Sequence, residues 1–131
     1  MNQKPPKGFK RFLPRASKLL TQPAELNQMI SNAGKKLAAT SQSRLSGAQE
    51  NLTLFLDLLN CYVRGTYRGV SNESLVATAA AVLYFLVPLD FIPDFFLAWG
   101  FVDDIAVISY IYHQVSDELE KFKAWRTEHN D

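Results

Sequence analysis

Residues 74–89 read SLVATAAAVLYFLVPL and form the longest stretch of this sequence without a charged side chain. Apart from three hydroxyl groups its side chains are apolar, and they show no alternation with a period of two. Ser71 lies just upstream, directly before an Asn-Glu pair, and is typical of a helix N-cap. We predict a buried helix that runs through Leu75 to about Val87 and is stopped by Pro88.

Apolar residues recur at helical spacing in three further segments. The first is residues 23–45, and the second follows a capping box formed by Ser46 and Gln49 and ends near residues 65–69. The third starts near Asp103, taken as its N-cap, and runs to about residue 125. The pattern predicts an all-α fold, a small bundle of about four helices with a central apolar helical hairpin joined by a Pro/Asp-rich loop.

Length and cysteine content limit the class of protein. A chain of 131 residues suits one domain with a core of its own and is too short for a multi-domain enzyme. Its single cysteine excludes an intramolecular disulfide, and no Cys/His spacing matches a structural zinc site. The basic N-terminus is not followed by the apolar stretch of a secretory signal, so we expect a location at the cytoplasmic face of a membrane.

Charge is distributed unevenly along the chain. Residues 1–50 carry nine basic and two acidic side chains, a net charge of +7, whereas residues 51–131 have a net charge of −6. We interpret residues 1–18 as a basic flexible arm, residues 19–69 as N-terminal helices and residues 70–131 as the hairpin with the C-terminal helix. The arm would bind anionic lipid through Lys4, Lys7, Lys10, Arg11, Arg15 and Lys18. A solvated tail that only aids solubility is the alternative.

The apolar stretch is short for a membrane span. Crossing the hydrocarbon core takes about 20 apolar helical residues, and residues 74–89 provide 16. On the other side of the loop, Asp103 and Asp104 interrupt the apolar residues. A peripheral protein with a buried central hairpin is the preferred interpretation, and a short or re-entrant hairpin is the alternative.

The densest motif is YFLVPLDFIPDF at residues 84–95, followed by Gly100 and the Asp103-Asp104 pair. It resembles the YkvA-like family, the helical domain of unknown function 1232, over roughly residues 70–112. The matching positions are Tyr84, Pro88, Asp90, Ile92, Pro93, Asp94, Gly100, Asp103 and Asp104. The chain has no proline in residues 96–99, where many relatives have one. The resemblance implies a helical, often membrane-associated protein and brings no established reaction.

The four aspartates of this motif have three interpretations. They can be structural, because carboxylates cap helices and close turns, with Gly100 supplying the positive φ that ends a short helical piece. Converging at the loop, Asp90, Asp94, Asp103 and Asp104 could instead bind Mg²⁺ or Ca²⁺. Acid/base chemistry is the third interpretation, but no nucleophile or phosphate-binding element accompanies the carboxylates.

The sequence therefore leads to two hypotheses about function. The first is a non-enzymatic, membrane-associated interaction or scaffold module without a cofactor, whose arm binds an anionic membrane surface and whose hairpin docks there or inserts in part. The alternative is a divalent-cation-binding module or metal-dependent enzyme built on the four aspartates. A protein partner stays open, whereas nucleic-acid binding lacks a recognition helix and an aromatic stacking platform.

Overall fold

The structure, a computed structural model, describes residues 12–39, 48–86 and 94–129, with the backbone alone for residues 94–106 and 129. These residues form helices and turns and contain no strand, which confirms the predicted all-α class. The described ranges hold five helices, where the sequence predicted about four. They are α1 (Phe12–Leu19), α2 (Pro23–Ala39), α3 (Ala48–Arg64), α4 (Asn72–Leu86) and α5 (Asp94–His129).

Helix α4 is the central element of the bundle and contacts each of the other four helices. This position explains why its sequence is largely apolar, since a helix that packs against four others has little surface left for water. Its alanines at positions 79, 80 and 81 are fully buried, and Phe85 adds the largest side chain from this helix to the core. The core extends from Ala16 of α1 to Phe122 of α5.

Both ends of the connection between α3 and α4 follow from local sequence. Gly65, with a φ of 77°, donates its N–H to the carbonyl of Tyr62 at 3.0 Å, while Thr66 donates to Cys61 at 3.0 Å. This is a Schellman motif, and it ends α3 within the range that the sequence predicts. Ser71 is the N-cap of α4 as predicted, because its hydroxyl accepts the N–H of Ser74 at 3.2 Å.

All but the last residue of helix α1 lies in the segment 1–18 that was expected to be a flexible arm. Ala16 is fully buried, and Phe12, Leu13 and Leu19 pack against the core. Pro14 does not prevent the helix, because a residue in the first turn needs no intrahelical N–H bond. Residues 1–11 of the arm lie outside the described residues.

Helix α5 begins nine residues earlier than predicted. The sequence interpretation placed an N-cap at Asp103 and a helix end at Gly100, but the helix is continuous from Asp94, so both of these assignments are wrong. A single glycine inside a helix costs only about 1 kcal/mol relative to alanine, which tertiary packing can offset. Asp94 is the first residue of this helix.

Some predicted features lie outside the described residues. They include the capping serine at position 46, the end of the predicted helix 23–45 beyond Ala39, and the loop with Pro88, Asp90, Ile92 and Pro93.

Candidate functional site

Helix α1 presents its predicted lipid-binding cations to solvent. Arg15 and Lys18 are exposed, whereas Phe12 and Leu13 pack against the core and Ala16 is fully buried. The helix therefore holds two cations on the face away from the bundle. The remaining predicted cations, Lys4, Lys7, Lys10 and Arg11, belong to the segment that joins α1 at Phe12 and lie outside the described residues.

An aromatic contact fixes the start of α1 at one end of α4. The rings of Phe12 and Tyr84 meet edge to face, with their centroids 5.3 Å apart. Tyr84 is two residues from the C-terminal end of α4, so the start of α1 lies near this end. The sequence assigned Tyr84 a structural role in the motif, and this assignment stays a prediction beside the observed ring contact.

The C-terminal part of α2 brings two more cations to the same end. The ammonium group of Lys36 donates a hydrogen bond to the backbone carbonyl of Phe85 and lies 4.6 Å from the centroid of its ring. Carbonyls in the last turn of a helix lack intrahelical partners, and a nearby cation also interacts favourably with the helix dipole. The neighbouring Lys35 is exposed. Sequence reasoning did not single out this lysine pair, because its partner is 49 residues away.

The structure describes the aspartate motif only in part. Asp90 lies outside the described residues, and Asp94, Asp103 and Asp104 are described as backbone positions of α5. At 1.5 Å per residue, about 13.5 Å of helix separates Asp94 from Asp103. A single metal ion could bind both residues only if the helix were interrupted between them. Convergence on Mg²⁺ or Ca²⁺ stays a prediction, as does the structural role of Pro88, Ile92 and Pro93.

Within the ranges 12–39, 48–86 and 107–128, no group of three His, Cys, Asp or Glu residues could hold a metal ion.

A polar cluster that the sequence did not reveal joins α5 to the start of α4. The carboxylate of Glu118 accepts hydrogen bonds from the N–H of Ser71 at 2.5 Å, from the hydroxyl of Ser71 at 2.9 Å and from the hydroxyl of Ser74. Burial raises the pKa of Glu118, but these hydrogen bonds and the charge of Lys121 lower it by a larger amount. The pKa of Glu118 therefore lies below its ordinary value. The cluster stabilises the ionised carboxylate and extends the capping of α4.

Tyr67 lies beside this cluster and has a perturbed pKa. Burial against Phe122 and Trp125, together with the negative charge of Glu118, raises the pKa of its phenol above 10.0. The group therefore stays protonated at neutral pH. This suits packing and hydrogen bonding, whereas a catalytic base would need a lowered pKa.

A groove of about 850 Å³ lies between α3 and α5 and is open to solvent. Its lining is mostly polar and includes Asn51, Tyr112, Lys123 and Arg126. Both cations already have acidic neighbours: Arg126 lies 2.5 Å from Asp57, and Lys123 lies 3.5 Å from Glu120. The groove therefore does not supply unpaired positive charge for an anionic ligand.

Taken together, these features define a small helical bundle with a basic N-terminal element docked on its central helix. No helix in the described ranges combines the length and apolarity needed to cross a membrane.

The comparisons with known proteins agree with the resemblance seen in the motif. The family model described as "Protein of unknown function (DUF1232)" matches residues 74–110, which cover most of α4 and the first turns of α5. The chain is also 35% identical over 98 residues to the Bacillus subtilis protein named "Uncharacterized membrane protein YkvA", a match that spans 75% of this chain and 92% of that relative. This protein belongs to the DUF1232 family. No solved structure matches the chain.

Proposed function

We propose that this protein is a non-enzymatic helical module that binds peripherally to the surface of anionic membranes and serves there as an interaction or scaffold element. Its lipid contacts are the cations of the N-terminal segment: Lys4, Lys7, Lys10, Arg11, Arg15 and Lys18. The similar protein of Bacillus subtilis is named a membrane protein, which supports the membrane as the location. We place the binding surface on the cytoplasmic leaflet, where anionic lipids concentrate.

The observation that carries this proposal is the division of α1 into two faces. Packing of Phe12, Leu13 and Ala16 against the bundle uses its apolar face, and Arg15 and Lys18 stay exposed on the other. Each cation near an anionic surface contributes about 1 kcal/mol, so six of them suffice for reversible binding. Such binding weakens with salt because ions screen exposed charges.

Vesicle cosedimentation tests the proposal. We expect the protein to pellet with vesicles of phosphatidylcholine and phosphatidylserine at low salt, and to remain in solution with phosphatidylcholine alone. Replacing Arg15 and Lys18 with glutamine should weaken binding severalfold, and replacing all six cations should abolish it. The matched control replaces Lys121 and Lys123 of α5 with glutamine, which changes the net charge as much as the Arg15 and Lys18 substitutions do.

Two results would contradict the proposal. One is equal binding to vesicles with and without phosphatidylserine. The other is an equal loss of binding in the Lys121/Lys123 control, which would show that net charge matters and the N-terminal segment does not.

A further inference from the structure

A small crevice lies where the turn between α1 and α2 meets the C-terminal end of α3. Its volume is about 210 Å³, and it is lined by Leu20, Pro23, Leu26, Tyr62, Val63 and Arg68. Leu26 is buried, whereas Leu20, Tyr62 and Val63 are half-buried at the edge of the core. The crevice therefore opens apolar surface to solvent, with one cationic side chain in its wall.

The size of the crevice limits what it can bind. Pockets that enclose a whole small molecule usually measure about 300–1,000 Å³. At roughly 30 Å³ per molecule, the 210 Å³ of this crevice hold about seven waters. The crevice therefore suits a few atoms of a larger ligand that stays mostly outside, and it is too small for a complete small-molecule substrate.

Arg68 is oriented at this crevice by an aromatic ring. Its guanidinium carbon lies over the ring of Tyr62, 4.5 Å from the centroid, while the residue as a whole is exposed. A guanidinium over a ring keeps the N–H donors in its own plane available for a phosphate or a carboxylate. The ion pairs among the described residues involve other cations, Lys123 and Arg126. Arg68 is therefore an oriented donor without an acidic partner in the described part of the chain.

Two further cations lie next to the lining residues. Arg64 directly follows Val63, Lys18 lies two residues before Leu20, and both cations are exposed. The carbonyl of Lys18 accepts the N–H of Thr21 at 3.0 Å and the Thr21 hydroxyl at 2.6 Å. These hydrogen bonds fix the turn after α1 and hold the backbone of Lys18 close to the crevice.

Acidic side chains near these positions are fewer than the cations. Asp57 of α3 lies 2.5 Å from Arg126, which neutralises its charge. The other acidic residues close to the lining residues in sequence are Glu25 and Glu73, and both are exposed. Arg15 lies one helical turn before Lys18, so four cations accompany these two carboxylates. The surface around the crevice therefore has a positive net charge.

An apolar crevice surrounded by cations, with a guanidinium at its edge, is complementary to an amphiphile with an anionic head. We propose that this crevice binds an anionic phospholipid of the bilayer, with Arg68 binding the lipid phosphate and the apolar lining contacting the glycerol and the first chain carbons. Arg64 and Lys18 add positive charge around the phosphate. The proposal rests on the proposed function and adds a specific lipid site on the folded bundle to the general attraction of the N-terminal cations.

A pair of variants that conserve charge tests the site. Arg68→Lys keeps the charge but loses the planar donor group over Tyr62, so we expect binding to phosphatidylcholine/phosphatidylserine vesicles to weaken severalfold. Arg15→Lys, on the exposed face of α1, is the matched control and should leave binding unchanged. Cosedimentation measures both variants, and circular dichroism verifies that they are folded. Tyr62→Leu, which removes the ring under Arg68, replaces Arg68→Lys if that variant is not folded.

Soluble ligands distinguish a lipid from a free phosphate ester. Dihexanoylphosphatidylserine, used below the concentration at which it forms micelles, should raise the melting temperature of the wild type and raise that of Arg68→Lys less. Glycerophosphoserine has the same headgroup without acyl chains, and inorganic phosphate provides the anion alone. Both should raise the melting temperature much less than the short-chain lipid at equal concentration and ionic strength, because they leave the apolar lining exposed.

The outcomes separate the site from the proposed function. Equal vesicle binding by the wild type and Arg68→Lys, or an equal loss of binding in Arg15→Lys, would overturn the lipid site and leave the proposed function standing. Equal stabilisation by glycerophosphoserine and the short-chain lipid would overturn the role of the apolar lining. The absence of cosedimentation of the wild type with anionic vesicles would overturn the proposed function itself.

Discussion

Glu118 of α5 accepts two hydrogen bonds from Ser71, one from its backbone N–H and one from its hydroxyl, across 47 residues of sequence. A helix N-terminus has backbone N–H groups without intrahelical partners, and α4 satisfies one of them with the Ser71 hydroxyl. Glu118 in turn accepts hydrogen bonds from Ser71, the residue that provides this cap. The connection couples the start of the central helix to the long helix α5 and fixes their register.

The Glu118 cluster should contribute measurably to stability. Glu118→Gln removes the charge and weakens three hydrogen bonds, so we expect the free energy of unfolding to fall by about 1–2 kcal/mol. The measurement is urea denaturation followed by circular dichroism. Glu120→Gln is the matched control, since its 3.5 Å ion pair with Lys123 lies on the surface and should contribute less than about 0.5 kcal/mol. Equal effects of the two variants would contradict the assignment.

Acid should weaken the same cluster. The pKa of Glu118 is lower in the folded protein than its ordinary value of 4.5, so above pH 4.5 the carboxylate is ionised in both states and stabilises fully. As the pH falls below 4.5 the unfolded state takes up the proton first, and this stabilisation is lost progressively until the folded-state pKa is passed. The difference in the free energy of unfolding between wild type and Glu118→Gln should therefore decrease as the pH falls below 4.5. A difference in stability that does not depend on pH would argue against a lowered pKa.

The docking of α1 depends on Phe12. Phe12→Ala removes the edge-to-face contact with Tyr84 and part of the apolar surface of α1, at a cost of about 1–2 kcal/mol. We expect α1 to detach more often and trypsin to cleave faster after Arg15 and Lys18. Ser17→Ala, at an exposed position of the same helix, serves as the control and should leave the cleavage rate unchanged. Unchanged cleavage in Phe12→Ala would show that other contacts hold α1.

Two glycines should respond oppositely to replacement by alanine. Gly65 has a φ of 77°, a conformation that costs other L-residues about 1–2 kcal/mol, so Gly65→Ala should destabilise the protein by about that amount. Gly34 lies inside α2 with nothing within 4 Å of an added Cβ, so Gly34→Ala should stabilise it by about 0.5–1 kcal/mol. Thermal unfolding of both variants checks the pair, and stabilisation of the protein by Gly65→Ala would contradict the Schellman assignment.

Local signals in the sequence predicted the middle of the molecule well. Apolar residues at helical spacing identified α3, Ser71 marked the start of α4, and α3 ends beside Gly65, at the edge of the predicted range 65–69. These signals work because a cap, a positive φ or an apolar stripe acts within a few residues. The motif around Asp94 likewise pointed to the family that the comparisons then showed.

The sequence interpretation missed helix α1 and placed the start of α5 too late. Helix α1 has only eight residues and contains a proline, so its own propensity is weak, and its burial against α4 stabilises it. The start of α5 was placed too late because Gly100 and the Asp103-Asp104 pair resemble a helix boundary, although none of the three prevents a helix.

The sequence by itself determined the all-α class, the central apolar helix, the caps at Gly65 and Ser71 on either side of the α3–α4 connection, and the basic character of the N-terminal segment. Each of these depends on composition or on residues close together in the chain. The tertiary structure alone decided that α1 docks on α4, that Lys36 contacts Phe85, and that Glu118 sets the register of α5. These arrangements join residues 44 to 72 positions apart, and the free energy that selects them comes from burial and hydrogen bonds formed only when the helices pack.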